Sequence, residues 1–235
     1  MDRPRHVPHE VTFTVPETAG HCDALLLRPA DARWLLVLAH GAGAGMHHPF
    51  MESLARELAA WRIATFRYLF PYMQQRRKRP DKPAVLTATV RAAIATASKT
   101  APDLALLAGG KSLGGRMTSL ALSEEPSRKA ESLNRVRGLV FFGFPLHPAR
   151  RPGIERANHL SRMTLPMLFL QGTRDTLADP ALLRPLCETL APRALLHIVD
   201  TADHSFHVLK RSGMTDADVF RHLSRTVASW ADGLA

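Results

Sequence analysis

Residues 104–117 read L-A-L-L-A-G-G-K-S-L-G-G-R-M, and the organisation of the chain follows from how they are parsed. Leu104, Ala105, Leu106, Leu107 and Ala108 form an apolar run of strand length that stops at Gly109 and Gly110. A helix-like pattern resumes from Leu113 to Leu122, and Ser112 stands between the two in the spacing G-K-S-L-G. A strand, a sharp turn of small residues and a helix are the context in which G-x-S-x-G holds a serine hydroxyl exposed at the C-terminal edge of a sheet, on a strained backbone. Gly110 and Gly114 are then the positions where strand and helix approach closely. A phosphate-binding loop, G-x-x-x-x-G-K-[ST], needs a glycine at 105, which is alanine inside the strand.

The strands outward from this turn follow one pattern. Trp34–Ala39 is almost continuously apolar, as is a strand buried on both faces of a parallel sheet. It leads into H-G-A-G-A-G-M (His40–Met46) and a helical stripe over 49–60 carrying Phe50, Leu54 and Leu58. Further strands are expected at 62–68, 138–144, 167–171 and 194–199, with helices over 84–99, 180–190 and 216–230, the last capped by Thr215. Val11–Val15 and Ala24–Arg28 read as an opening hairpin. A polar connector spans 123–137, and Pro145–Leu165 has room for one small helix, too little for a cap. Alternating strands and helices predict an α/β chain with a mostly parallel central sheet, an N-terminal antiparallel hairpin, helices on both faces and no large cap. No repeat or composition break divides residues 1–235, so one domain is expected.

The net charge of +10 raises the expectation of an anionic partner without bearing on the fold. No recognisable nucleic-acid module accompanies it, so nucleic acid is not the expected partner. Two cysteines, Cys22 and Cys187, suggest neither a disulfide framework nor a metal-binding spacing. The first ten residues lack the apolar core of a secretory signal and no apolar run could span a bilayer, so a cytoplasmic protein without membrane association is expected.

Ligands bind in open α/β sheets at the C-terminal ends of strands. Four segments there carry chemistry: the glycine turn after Ala39, Ser112, the Q-G-T-R-D stretch ending at Asp175, and D-H-S-F around His204. A serine hydroxyl needs a base to take its proton, and the base needs an acid to fix its tautomer. The order Ser112, Asp175, His204 is the order that goes with a nucleophile on a strand-to-helix elbow. Asp179 and Asp200 compete with Asp175 for the acid, and His197 and His207 with His204 for the base, while Asp203 reads as shaping its loop. Gly41, Gly43 and Gly45 evoke a dinucleotide fingerprint with Arg67 toward a 2′-phosphate, but Met46 occupies the position of the last glycine. His40, His47 and His48 lack a third ligand for zinc, so neither metal nor organic cofactor is expected.

The chain resembles the α/β-hydrolases of the small, lidless type. It is similar to dienelactone-hydrolase-like proteins and to the KANL/testis-expressed branch, through H-G-A-G-A-G, G-K-S-L-G-G, Q-G-T-R-D and D-H-S-F, a likeness spanning nearly the whole chain. That resemblance implies Ser112 as nucleophile, His204 as general base, Asp175 as orienting acid, and an oxyanion hole from the backbone N–H groups of Ala42 and Leu113. Dienelactone hydrolases proper carry cysteine where this chain has Ser112, so the implied activity is a serine-dependent, carboxylesterase-like hydrolysis of small acyl substrates. Members of the branch that act within protein assemblies imply an alternative, a non-catalytic protein that binds a partner through its basic face. His40, Gly41 and Gly43 are candidate substrate contacts. Arg76, Arg77 and Lys78, followed by Arg79, stand after a strand end and are candidates for attracting an anionic substrate.

Overall fold

The computed structural model describes residues 7–234 apart from 17, 19 and 125–130, so the expected connector is described only in part and the first six residues lie outside it. Eight strands form one sheet: β1 (His9–Thr14), β2 (His21–Leu27), β3 (Trp34–Ala39), β4 (Ile63–Tyr68), β5 (Ala105–Lys111), β6 (Val136–Phe142), β7 (Met167–Gly172) and β8 (Ala194–Val199). Their spatial order is β1-β2-β4-β3-β5-β6-β7-β8. The β1–β2 and β2–β4 pairs are antiparallel and all others parallel, so the opening hairpin hangs on the edge of a parallel sheet.

Period-2 alternation sorts the buried strands between two cores. Leu35, Val37, Leu106, Ala108, Leu139, Phe141 and Phe169 face one layer. It is built from α3 (Pro83–Thr100), α4 (Leu113–Ser123) and α6 (Pro180–Thr189), through residues such as Val90, Ile94, Met117 and Leu183. Leu36, Leu38, Leu107, Val140, Phe142, Leu168 and Leu170 face the other. There Phe50 and Leu54 of α1 (Pro49–Ala59) meet Val219, Leu223 and Val227 of α7 (Asp216–Asp232). Local chemistry starts these helices: the His48 side chain accepts from the Phe50 N–H with Pro49 at the first position, and Thr215 and Asp218 form a capping box. Short helices α2 (Pro71–Gln74) and α5 (Glu131–Asn134) and 3₁₀ segments at Glu155–Arg162 and Lys210–Ser212 complete the described elements. The expected α/β-hydrolase architecture without a large cap is the one observed. No helix among the described residues is long and apolar enough to cross a membrane.

Strand β6 departs from expectation, covering 136–142 rather than 138–144. Val136 pairs with Leu106 ahead of a register shift, and at Gly143 the backbone turns left-handed (φ +69°) as its N–H donates to the Leu170 carbonyl. The chain leaves β3 for β4 on one side and takes up β5 on the other. The strand order therefore reverses around β3, which opens a crevice at the C-terminal ends of β3 and β5.

Candidate active site

Ala39 of β3 lies beside Gly110 of β5, so the glycine turn and Ser112 emerge side by side. Glycine is required where the elbow presses against β3. A Cβ on Gly110 would come 2.5 Å from the Ala39 carbonyl oxygen, and one on Gly114 would be 2.5 Å from that oxygen and 2.6 Å from that of His40. Ser112 itself sits at φ +50°, ψ −117°, a left-handed conformation that costs a serine about 1–3 kcal/mol. Its ends are tied down: its N–H donates to the Phe142 carbonyl at 3.1 Å and its carbonyl accepts from Arg116 N–H at 3.1 Å.

The hydroxyl of Ser112 lies 2.8 Å from His204 Nε2, and His204 Nδ1 lies 2.7 Å from Asp175 Oδ2. The Asp175 carboxylate is buried and further held by Gln171 Nε2 on Oδ2 and by the Leu177 N–H, 2.8 Å from Oδ1. With Nδ1–H donated to the carboxylate, Nε2 is left to accept from the serine, the arrangement a proton relay needs. The competing acids are engaged elsewhere. Asp179 caps α6 through Ala181 N–H, and Asp200 accepts from the Thr173 hydroxyl. His207 faces Asp216 at 2.6 Å, and His197 faces His222 at 2.7 Å. Asp203 receives the N–H groups of Ser205 and His207 within its own loop.

Gly41, Ala42 and Gly43 line a cleft of about 770 Å³ beside Ser112 and His204. Phe50, Met51, Leu177 and Phe220 give it apolar walls, with His48 and His207 among its polar lining. Neither the Ala42 nor the Leu113 N–H donates to a protein acceptor among the described residues. The glycine turn is braced from behind: Tyr72 Oη donates to the Ala42 carbonyl at 2.8 Å, and Arg67 Nη1 to that of Met46 at 2.9 Å.

Several expected contacts are corrected. His40 is fully buried rather than facing substrate; its Nδ1 lies 2.7 Å from the Gly41 carbonyl, and its Nε2 accepts from Phe70 N–H at 3.1 Å. Burial pushes its imidazole down to about 4, so it serves as a neutral bracket beneath the turn. Arg76, Arg77 and Lys78 are exposed and none lines the cleft, because the chain turns away through α2 before reaching them; Arg77 pairs with Asp81. Arg67 is buried under the glycine turn, out of reach of any ligand phosphate. Sequence reasoning missed Gln171, Tyr72 and Lys111. Gln171 could have been noticed, four residues before Asp175 at the end of its strand, whereas nothing local marked Tyr72. Lys111 stood inside the quoted motif without a role. Its Nζ is buried with no hydrogen-bond partner among the described residues, and burial lowers the ammonium to about 8 against the opposing pull of Asp175 and Asp203.

Solved structures share this architecture end to end. A dienelactone hydrolase from Anabaena variabilis is 20% identical with a TM-score of 0.73, covering 96% of each chain. A lidless α/β serine hydrolase from Xanthomonas campestris is 22% identical with a TM-score of 0.70, covering 95% of this chain and 94% of that one. The esterase domain of a Rhodothermus marinus protein is 19% identical with a TM-score of 0.69, covering 96% and 98%. At such identities the likeness is one of fold. A family model described as an alpha/beta hydrolase domain matches residues 32–232, from just before β3 through α7, and the chain belongs to that family.

Proposed function

We propose that this protein is a serine hydrolase of small esters or related acyl compounds. The observation that carries the reading is the unbroken pair of contacts Asp175–His204–Ser112, at 2.7 and 2.8 Å, opening onto the cleft. Ser112 Oγ attacks the acyl carbon as His204 Nε2 takes its proton, and the Asp175 carboxylate stabilises the imidazolium. The N–H groups of Ala42 and Leu113 receive the oxyanion, each donor being worth on the order of 3 kcal/mol in the transition state. Collapse breaks the bond to the leaving alkoxide, which takes the proton from Nε2 and leaves an acyl-serine. Water, deprotonated by His204, attacks this ester; the serine leaves, recovers its proton and releases the acid. The lack of a cap, which leaves little apolar surface to wrap a long chain, favours short acyl groups.

A fluorophosphonate probe together with a panel of p-nitrophenyl esters tests the assignment. Wild type should be labelled and turn over esters, and Ser112→Ala should do neither. Absence of both in wild type would favour a binding protein that has kept the hydrolase frame.

A further inference from the structure

Lys111 is the residue between Gly110 and the candidate nucleophile; it lines the same cleft as Ser112 and His204, with its Nζ closed off from solvent. Its stem passes beneath the glycine turn, where a Cβ on Gly41 would meet Lys111 Cγ at 3.7 Å. The Nζ is shut off from solvent and lies 5.7 Å from the ring centroid of Phe50 and 5.8 Å from that of Phe206, a distance at which aromatic rings attract a cation. Gly143 makes room for it at the end of β6. A Cβ built there would lie 3.1 Å from Lys111 Nζ and 3.4 Å from both Asp175 Oδ2 and His204 Nδ1, which puts the ammonium within about 6.5 Å of each.

We propose that Lys111 is a positioning residue of the Asp175–His204 pair, its ammonium balancing the buried carboxylate so that the resting imidazole stays neutral with Nε2 free to accept from Ser112. The inference rests on the hydrolase reading above. A carboxylate 2.7 Å from a histidine draws a proton onto the ring, whereas a cation near both partners opposes it. The other ionisable groups around the pair are Asp203, which also faces Lys111, the His207–Asp216 pair and His48 of the cleft lining. Among the described residues Lys111 is a cation buried beside the Asp175–His204 pair, and at an effective dielectric of about 20 its removal is expected to move the ring titration by about one to two pH units.

The pH dependence of kcat/KM on a p-nitrophenyl ester tests this in wild type, Lys111→Met and Lys111→Gln, the second neutral variant covering the chance that the first does not fold. Removing the cation makes His204 more basic, so the acidic limb should move up by about one to two pH units in either variant. Above about pH 8, where Lys111 itself gives up its proton, the profiles should converge. The His204 ring titration by NMR, assigned by its loss in His204→Asn, should move up by the same amount and requires no turnover. Coincident limbs and an unmoved ring titration in a folded variant would overturn the inference. A wild type that neither labels nor turns over esters would sink the hydrolase reading instead, and the ring titration would still decide the electrostatic claim.

Discussion

Replacing Asp175 by asparagine tests the site by its hydrogen-bond bookkeeping. The carboxylate receives three donors: Leu177 N–H on Oδ1, and Gln171 Nε2 and His204 Nδ1 on Oδ2. An asparagine has one acceptor oxygen to offer. If it faces His204 and Gln171, the new NH₂ is turned against the Leu177 N–H and a buried donor is stranded, at about 1–3 kcal/mol. If it faces Leu177, the NH₂ points at Gln171 and His204. Gln171 can accommodate this by flipping its amide, because its Oε1 is buried without a partner among the described residues. His204 can accommodate it by moving its proton to Nε2, so that Nδ1 accepts. The second arrangement leaves no more buried groups unpaired than the native one, the Gln171 NH₂ merely taking over the partnerless position of Oε1, and should win, with an effect on stability of about 1 kcal/mol or less. Its imidazole then presents N–H rather than a lone pair to Ser112, and no carboxylate stabilises the imidazolium. In triads of this kind the wrong tautomer lowers kcat by on the order of 10⁴, or about 5.5 kcal/mol of barrier. Steady-state kinetics on the best ester of the panel, with urea unfolding in parallel, gives both numbers. A kcat within about tenfold of wild type in a normally folded Asp175→Asn would refute the assignment of Asp175.

Other parts of the frame can be tested as directly. Tyr72→Phe removes the hydroxyl that holds the Ala42 carbonyl and should lower kcat about tenfold with KM little changed, at a stability loss of about 1 kcal/mol by chemical denaturation. Gly114→Ala forces a Cβ against two backbone oxygens of β3 and His40; a loss of about 3 kcal/mol or failure to fold is expected, read by thermal melting. Stability should also fall with acid in a particular window. His40 and His159 are buried and lowered to about 4, His159 lying 2.8 Å from the Ser119 hydroxyl. Between about pH 6.5 and 4 the unfolded chain binds protons at both sites while the folded one does not. Each pH unit through that window should therefore cost about 1.4 kcal/mol per histidine, and above pH 6.5 the effect vanishes. Urea unfolding at pH 7 and pH 5 measures it, and His159→Gln should flatten the slope.

The parts of this protein legible in the sequence are those governed by neighbours along the chain. Alternation of Leu35 and Val37 against Leu36 and Leu38 carries the two-faced burial of β3, and the Thr215–Asp218 spacing carries the start of α7. Gly110 and Gly114 mark the strand-to-helix contact because only a missing Cβ tolerates a carbonyl 2.5 Å away. Boundaries set by cross-strand pairing were harder: β6 begins at Val136 because Leu106 is there to pair with it, and no local signal reports that.

Candidate chemistry divides along the same line. That a serine, an acid and a histidine follow strand ends is visible in the linear text, since strand ends are local events. Which of several aspartates and histidines meet is decided by where loops from β5, β7 and β8 close over one sheet edge, a matter of contacts 29 and 92 residues apart. The same closure brings the Lys111 ammonium near Asp175 and His204, sets Tyr72 against the Ala42 carbonyl and withdraws His40 from the cleft. Periodicity and turn chemistry act through the nearest few residues and survive in the sequence alone, whereas a hydrogen bond between remote side chains exists only once the folded core has brought them together.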